Sequence, residues 1–305
     1  MKPVLVLAPE EDLNFAPDER IVLAPEERRD AVLGVIRSAR QRLILSLFRC
    51  DDDAVVEALA EAVQRRVHVR ALLTGRAKGS KKHLKQLHNL LKRLGAEVQR
   101  YADLVVKYHA KYIVADEGPA LVASLNFTRN CFEATCDFIL VTHDPELVAG
   151  LMHLFHADWH APGSWSPNVP GDRLIVGPER ARARFAALLQ QARQSIRLID
   201  AKLSDPEMLA LLRAKEAAGV TVDLKGPSGL GPLFPHGKLL IVDDSTAVLG
   251  SISLSTLALE FRRELAVVVR ERNALQQLVA FWNSLPSTVR AGSTVAQVAS
   301  EEPVP

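Results

Sequence analysis

A short pattern occurs twice in this chain, in one register. His109-x-Lys111-x-x-x-x-Asp116 lies in YHAKYIVAD, and His236-x-Lys238-x-x-x-x-Asp243 lies in PHGKLLIVDD. Small-residue runs follow, Ala123-Ser124-Leu125-Asn126 and Gly250-Ser251-Ile252-Ser253, and then an acid, Asp137 and Glu264. Each of these pairs is separated by 127 residues. One such match is weak evidence, but two matches with hydroxyls and acids in step downstream are not an accident. A duplicated hairpin kept only for its fold would not need His and Lys in both copies. The doubling points to one active site built from two half-sites, with one imidazole as base or nucleophile and the other as acid.

The repeat reaches beyond the motif. Val22-Leu23-Ala24-Pro25-Glu26-Glu27 is similar to Ile175-Val176-Gly177-Pro178-Glu179-Arg180. Both lead into predicted helices, over 26–40 and 178–193, with proline at the helix start. Apolar strands are predicted at 42–48 and 195–200, second helices near 52–65 and 205–218, and further strands at 67–75 and 220–226. Here the offset is 153 residues, so the first half carries about 26 extra residues before its motif. They read as a basic helix, roughly 80–94, and a short strand, where the second half has only the loop GPSGLGPLFP. The His-x-Lys motifs read as strands with both side chains on one face. Helices near 145–158 and 272–283 close the halves.

Strands alternating with helices predict an α/β fold. It comprises two pseudo-symmetric halves, a mixed sheet sandwiched between helices, and an active site at the interface of the halves. The expected division is an N-terminal segment 1–20, a first half 21–161, a linker 162–171, a second half 172–285 and a loose tail 286–305.

The doubled motif resembles the phospholipase D superfamily over roughly residues 20–285. That resemblance implies a phosphodiesterase working through a phosphohistidine intermediate, with His109 as nucleophile and His236 as general acid/base. It also implies that Asp137 and Glu264, downstream of the Ser-x-Asn-like runs, orient the two rings. In such a site Lys111 and Lys238 hold the charge of the phosphodiester. Ser124, Asn126, Ser251 and Ser253 add neutral donors. Two imidazoles with opposite protonation needs call for environments that push their pKa values apart.

Asp116 and Asp243 look catalytic but stand seven residues beyond each His, roughly 23 Å along a strand. A structural role, accepting from turn amides, is expected of them. No metal and no cofactor are expected, because the lysines supply the neutralising charge. His156 and His160 are four apart on a predicted helix, but no third ligand follows at a convincing spacing. Cys50, Cys131 and Cys136 form no even framework; packing residues or free thiols in a reducing compartment are expected.

Two departures from the family pattern matter. Ala123 stands where the family has glycine, a mild change if the backbone there has negative φ. Ser253 stands where the family has asparagine, and it has one donor in place of two.

Substrate choice is less constrained. Apolar residues flank the motifs: Leu230, Leu233 and Phe234; Phe127 and Phe132; Leu254, Leu257 and Leu259. They form either a lip for acyl chains or packing beneath the loops. Arg76, Lys78, Lys81, Lys82, Lys85, Lys92 and Arg93 either track nucleic-acid phosphates, attract anionic lipid headgroups, or form a solvated helix face. No aromatic residues interleave with them, which disfavours single-strand binding. The leading expectation is a phospholipid phosphodiesterase acting by hydrolysis or transfer. The alternatives are a metal-independent nuclease and a non-catalytic binding module. A net charge of +2 over 305 residues selects no partner by itself. The N-terminal apolar run is too short for a secretory leader or a membrane span. This predicts a cytoplasmic protein with at most peripheral contact to an anionic membrane. Two motifs in one chain mean that catalysis does not require a dimer.

Overall fold

The computed structural model describes residues 19–76, 81–166, 173–226 and 230–286. Residues 1–18 of the expected N-terminal segment, 287–305 of the tail, half of the linker (167–171) and the side chains of Lys78 and Lys81 lie outside those residues. The chain begins with strand β1 (Glu19–Val22), helix α1 (Pro25–Ser38), β2 (Arg42–Leu47), α2 (Asp53–Gln64) and β3 (His68–Leu73). Then come α3 (Lys81–Arg93), β4 (Glu97–Arg100), the two-residue β5 (Lys107–Tyr108), β6 (Tyr112–Ala115) and β7 (Ala120–Ala123). Helix α4 (Arg129–Glu133), β8 (Thr135–Cys136), β9 (Ile139–Thr142) and α5 (Pro145–His160) follow. The second half repeats the series as β10 (Leu174–Val176), α6 (Ala181–Gln191), β11 (Ser195–Ile199), α7 (Pro206–Ala217) and β12 (Thr221–Lys225). It ends with β13 (Phe234–Pro235), β14 (Lys238–Val242), β15 (Thr246–Gly250), α8 (Thr256–Phe261), β16 (Arg262–Arg263), β17 (Leu265–Val269) and α9 (Arg272–Ser284).

The local chemistry explains these elements. Helix α1 starts on Pro25, with Glu26 and Glu27 in its first turn and Arg37 in its last, each suited to the helix dipole. The Asp52 and Asp205 carboxylates cap α2 and α7. Strand β2 alternates: Leu43, Leu45 and Leu47 face one core and Ile44 the opposite one.

Two mixed sheets result. The first has the order β1-β9-β7-β6-β2-β3-β4, and the second β10-β17-β15-β14-β11-β12. Strand for strand the orders coincide until β4, which the extra segment of the first half contributes. Helices α5 and α9 lie between the sheets in a shared core that takes Val114 and Val122 from the first and Leu239 and Leu249 from the second. Separate cores cover the outer faces, under α1 and α2 on one side and α6 and α7 on the other. The fold is α/β, with mixed sheets flanked by helices.

Two expectations need correction. Helix α6 starts at Ala181, so Pro178 is not at its first turn. It lies in a turn whose Gly177 amide donates to Glu264 O at 2.9 Å. The motif histidines are not within sheet strands either, since β6 begins at Tyr112 and β14 at Lys238. Each histidine sits just after a two-residue strand that pairs with the opposite half. Strand β5 pairs in parallel with β16, matching Tyr108 with Arg263. Strand β13 pairs in parallel with β8, matching Pro235 with Cys136.

Candidate active site

Those two short pairings build the site. In parallel register, the residue after Tyr108 is His109 and the residue after Arg263 is Glu264. Likewise His236 follows Pro235, and Asp137 follows Cys136. Each imidazole therefore meets the acid of the opposite half. His236 Nδ1 lies 2.9 Å from both Asp137 oxygens. His109 Nδ1 forms a close ion-pair contact with Glu264.

The two pairs are not equivalent. Asp137 also accepts from the Ser124 hydroxyl at 2.5 Å and from Thr135. Burial raises its pKa, but the His236 charge and these hydrogen bonds outweigh it, so the carboxyl is held below its usual range. Glu264 contacts His109 without an aligned hydrogen bond to either oxygen. Burial pushes its pKa up to about 7, against the opposing charges of Lys111, Arg262 and Lys238. His109 is driven well below the usual imidazole range, by burial first and then by Lys111, Arg262, Lys238 and His236. One imidazole thus rests on a committed carboxylate, and the other is buried among cations that favour its neutral form.

Lys111 lies over the His109 ring, with Nζ 3.2 Å from Nδ1 and 3.3 Å from Nε2, and donates to His109 O at 2.7 Å. Lys238 donates to His236 O in the same way. Burial lowers Lys111 to about 7, although the Glu264 carboxylate opposes the shift. Phe48 stands edge-on to His109, with ring centroids 4.3 Å apart, and the Lys111 and Lys107 ammonium groups lie over its face.

The four proposed neutral donors divide into two kinds. Ser124 Oγ accepts from Phe138 N at 2.9 Å while it donates to Asp137. Ser251 exchanges 3.3 Å hydrogen bonds with Leu265 O and N. The protein therefore uses both serine hydroxyls itself, one of them to fix an acid. Asn126 is different, because its Oδ1 is buried without a partner. Ser253 Oγ is buried beside the Asp200 carboxylate without an aligned hydrogen bond. Asp116 and Asp243 lie away from this centre. Asp116 accepts from the amides of Arg40, Gln41 and Arg42 at 2.8–2.9 Å. Asp243 accepts from those of Arg193, Gln194 and Ser195 at 2.7–2.9 Å. Ala123 has negative φ, whereas a Cβ on Gly250 would lie 2.4 Å from Leu265 O. The glycine is needed in the second half only.

Sequence reasoning missed several contributors. Asp200 follows β11 inside the protein, where burial raises its pKa while the nearby Lys238 ammonium favours its charged form. An acid closing an apolar strand, SIRLID, was the available signal. Arg28 is buried and donates to the carbonyls of Leu23, Cys131, Thr135 and Asp137, pinning the segment that carries Asp137. Arg263 is buried against Asp158 at 3.0 Å and Glu179 at 2.5 Å and anchors the segment that carries Glu264. Among the described residues, one trio has metal-ligand types in proximity: Cys131, Asp137 and His236, within 4.8 Å of one another. Asp137 and His236 already satisfy each other there. His156 and His160 lie on α5 with ring centroids 4.3 Å apart and planes tilted by 49°, and are not part of that trio.

Residues 32–159 match the family model described as "Cardiolipin synthase, PLD-like domain". Over that stretch the chain is similar to phospholipase D-like domains. No curated protein matches it. Solved structures of polyphosphate kinase and phosphatidylserine synthase share its fold. Polyphosphate kinase from Porphyromonas gingivalis superposes with a TM-score of 0.72 at 18% identity, covering 86% of this chain and 46% of that one. The chain therefore spans less than half the length of that kinase. Phosphatidylserine synthase from Haemophilus influenzae Rd KW20 gives a TM-score of 0.65 at 12% identity, covering 87% of this chain and 85% of that one. Nuc from Salmonella typhimurium, a phospholipase D family member, gives 0.43 at 20% identity over 47% of this chain and 94% of that one. No helix among the described residues is long and apolar enough to cross a membrane.

Proposed function

We propose that the chain is a phosphodiesterase acting on phospholipid, by hydrolysis or transfer, through a phosphohistidine on His109. The observation that carries the reading is the crossed pairing of each imidazole with the acid of the other half. It engages both Nδ1 atoms, so the chemistry falls to the two Nε2 atoms, that of His109 with the Lys111 ammonium 3.3 Å away. The similarity of residues 32–159 to the PLD-like domain of the cardiolipin synthase family model supports the reaction class.

His109, held neutral, attacks phosphorus through Nε2 as the bond to the leaving alcohol breaks. His236, as imidazolium on Asp137, gives its Nε2 proton to that alcohol. Neutral His236 then takes a proton from water or an acceptor alcohol. The oxygen of that nucleophile attacks phosphorus, the P–N bond breaks, and His109 is restored. Lys111, Lys238 and the Asn126 amide stabilise the nonbridging oxygens as charge builds on them. Ser253 adds at most one donor, so the first half anchors the phosphate more firmly. Ser124 and Thr135 position Asp137. No step calls for a metal, since the two ammonium groups neutralise the phosphate.

The lipid reading draws on the exposed apolar residues around the site. Of the flanking apolar residues, Leu230, Phe127, Phe132, Leu254 and Leu259 are buried beneath the loops, while Phe234 and Leu257 are exposed. Leu104, Val105 and Phe261 join the exposed set. The test is activity in EDTA on mixed phospholipid vesicles and on single- and double-stranded DNA. Release of phosphatidic acid with DNA left intact is the expected result. Cleaved DNA with intact lipid would replace the reading with a nuclease. Full activity in both His109→Asn and His236→Asn would remove the shared site altogether.

A further inference from the structure

A cavity of about 760 Å³ opens beside the proposed centre, between the extra segment of the first half and α8 of the second. Its charged lining is all positive: Arg76, Lys85, Arg100, Lys107 and Arg262, with no carboxylate among the lining residues. A volume of that size suits a small organic ligand. The cavity adjoins the site directly. Lys107 precedes His109 by two residues, and Arg262 Nη1 is 3.7 Å from Glu264 Oε1. Leu84, which lines the cavity, packs on Phe48, the ring that stands against His109.

The basic lining is partly built and partly uncommitted. Arg76 donates to the carbonyls of Leu104 at 2.8 Å, Asp103 at 3.2 Å and Val106 at 3.4 Å, which fixes the loop forming one side of the mouth. Burial first, and then the repulsive charges of Arg262, Arg49 and Arg76, push Lys107 below the usual lysine range. Lys111 and Lys238 already suffice for the single charge of one diester, so the cavity holds positive charge that a lone diester does not use. The rim is apolar on both sides, with Leu104 and Val105 from the first half and Leu257 and Phe261 from the second, 45–90% exposed.

We propose that this cavity is a specificity pocket for a second phosphate, borne by the headgroup of the phospholipid whose diester is cleaved. Lys85, Arg100, Lys107 and Arg262 hold that phosphate by charge-assisted hydrogen bonds. The apolar rim receives the first methylenes of the acyl chains. The basic helix of the extra segment thereby acquires a defined use: Lys85 faces the ligand, while Lys82, Lys92 and Arg93 stay in solvent. A trimethylammonium headgroup would meet only like charge there. This inference rests on the lipid reading of the site.

The test compares phosphatidylglycerol with phosphatidylglycerophosphate, lipids that differ by one phosphate, each at equal density in phosphatidylcholine vesicles. The native chain is expected to prefer the phosphorylated lipid in kcat/KM by at least about tenfold, the discrimination of one charge-assisted hydrogen bond. In Lys85→Gln/Arg100→Gln, two exposed positions where folding is not at stake, that ratio falls toward one, mainly through KM for the phosphorylated lipid. Equal kcat/KM for the two lipids in the native chain, or an unchanged ratio in the double variant, would overturn the pocket and leave the lipid reading standing. Cleavage of single-stranded DNA with no hydrolysis of any lipid would instead overturn the lipid reading itself. In that case the same cations serve neighbouring phosphates of a polynucleotide.

Discussion

His236 Nδ1 sits 2.9 Å from both carboxylate oxygens of Asp137, a residue 99 positions earlier in the other half of the molecule. The contact exists because two-residue strands pair in parallel across the halves and place consecutive residues side by side. The partner contact, His109 with Glu264, arises the same way. Neither half can orient its own imidazole.

The first prediction follows from the inequality of these pairs. Asp137 stabilises an imidazolium and fixes its tautomer, so Asp137→Asn should lower kcat by about 10²–10⁴-fold, the range for loss of general acid–base catalysis. Glu264→Gln keeps a hydrogen-bonding group beside a ring that works in its neutral form, so its loss should be the smaller of the two. Steady-state kinetics of both variants on one vesicle substrate decides the order. Equal losses would mean that the two acids do the same work.

The assignment of nucleophile and acid gives a trapping experiment. With a p-nitrophenyl phosphodiester the leaving group needs no protonation, so His236→Asn should still form the covalent intermediate. The variant lacks the base that activates water, so phosphohistidine should accumulate at His109 and be found in that peptide by mass spectrometry. His109→Asn should trap nothing. Label on His236 in the second variant would reverse the roles.

Burial places the Lys111 ammonium near its titration at neutral pH, about 7 in place of the usual 10.5. The alkaline limb of kcat/KM for the free enzyme should therefore begin close to pH 7. Glu264 as carboxylate favours charged Lys111, so Glu264→Gln should move that limb to lower pH. The same groups shape stability. Between pH 4.5 and about 7 the folded protein holds a proton on Glu264 that the unfolded chain releases, so stability falls as pH rises. Between about 7 and 10.5 the unfolded chain holds the extra proton, on Lys111, and stability rises again. Urea melts across this range should show the minimum near pH 7 for the native chain. Asp158, pushed up by burial to about 7, acts in the same sense as Glu264. Buried His109, held well below its usual range, acts in the opposite sense below pH 6.5. Glu264→Gln should therefore make the descending branch shallower without abolishing it.

How much could be read beforehand depended on how far each feature is encoded locally. The strand and helix series, its duplication and the extra segment are carried by periodic apolar runs, and they fell within a few residues of the observed bounds. The crossed pairing was not legible, because β5, β8, β13 and β16 have two residues each and show no periodicity. Their register depends on contacts between positions about a hundred or more residues apart. Nor could sequence spacing separate the hydroxyls. Ser124 and Asn126 share a run, yet one is spent on Asp137 and the other keeps its Oδ1 buried without a partner, and only the packing of β7 against the Asp137 segment decides that. Arg28 and Arg263 were missed because a charged residue next to other charges reads as surface until its carbonyl and carboxylate partners are seen.

The motif aspartates allow a test that separates folding from chemistry. Asp116 and Asp243 each adopt positive φ, 50° and 52°, and each accept from three successive amides at the end of a helix-to-strand connection. Alanine removes the acceptor and fits a left-handed backbone less well, whereas asparagine keeps one acceptor oxygen and tolerates that conformation. Asp116→Ala should cost about 1–2 kcal/mol of stability, as for a few partly solvated hydrogen bonds, and Asp116→Asn clearly less. Both should show up as a lower urea midpoint with unchanged slope. Below the melting range, kcat per folded molecule and its pH profile should stay as in the native chain, because these carboxylates orient a turn and not a ring. A shift in the pH profile of Asp116→Asn would return the residue to the active site.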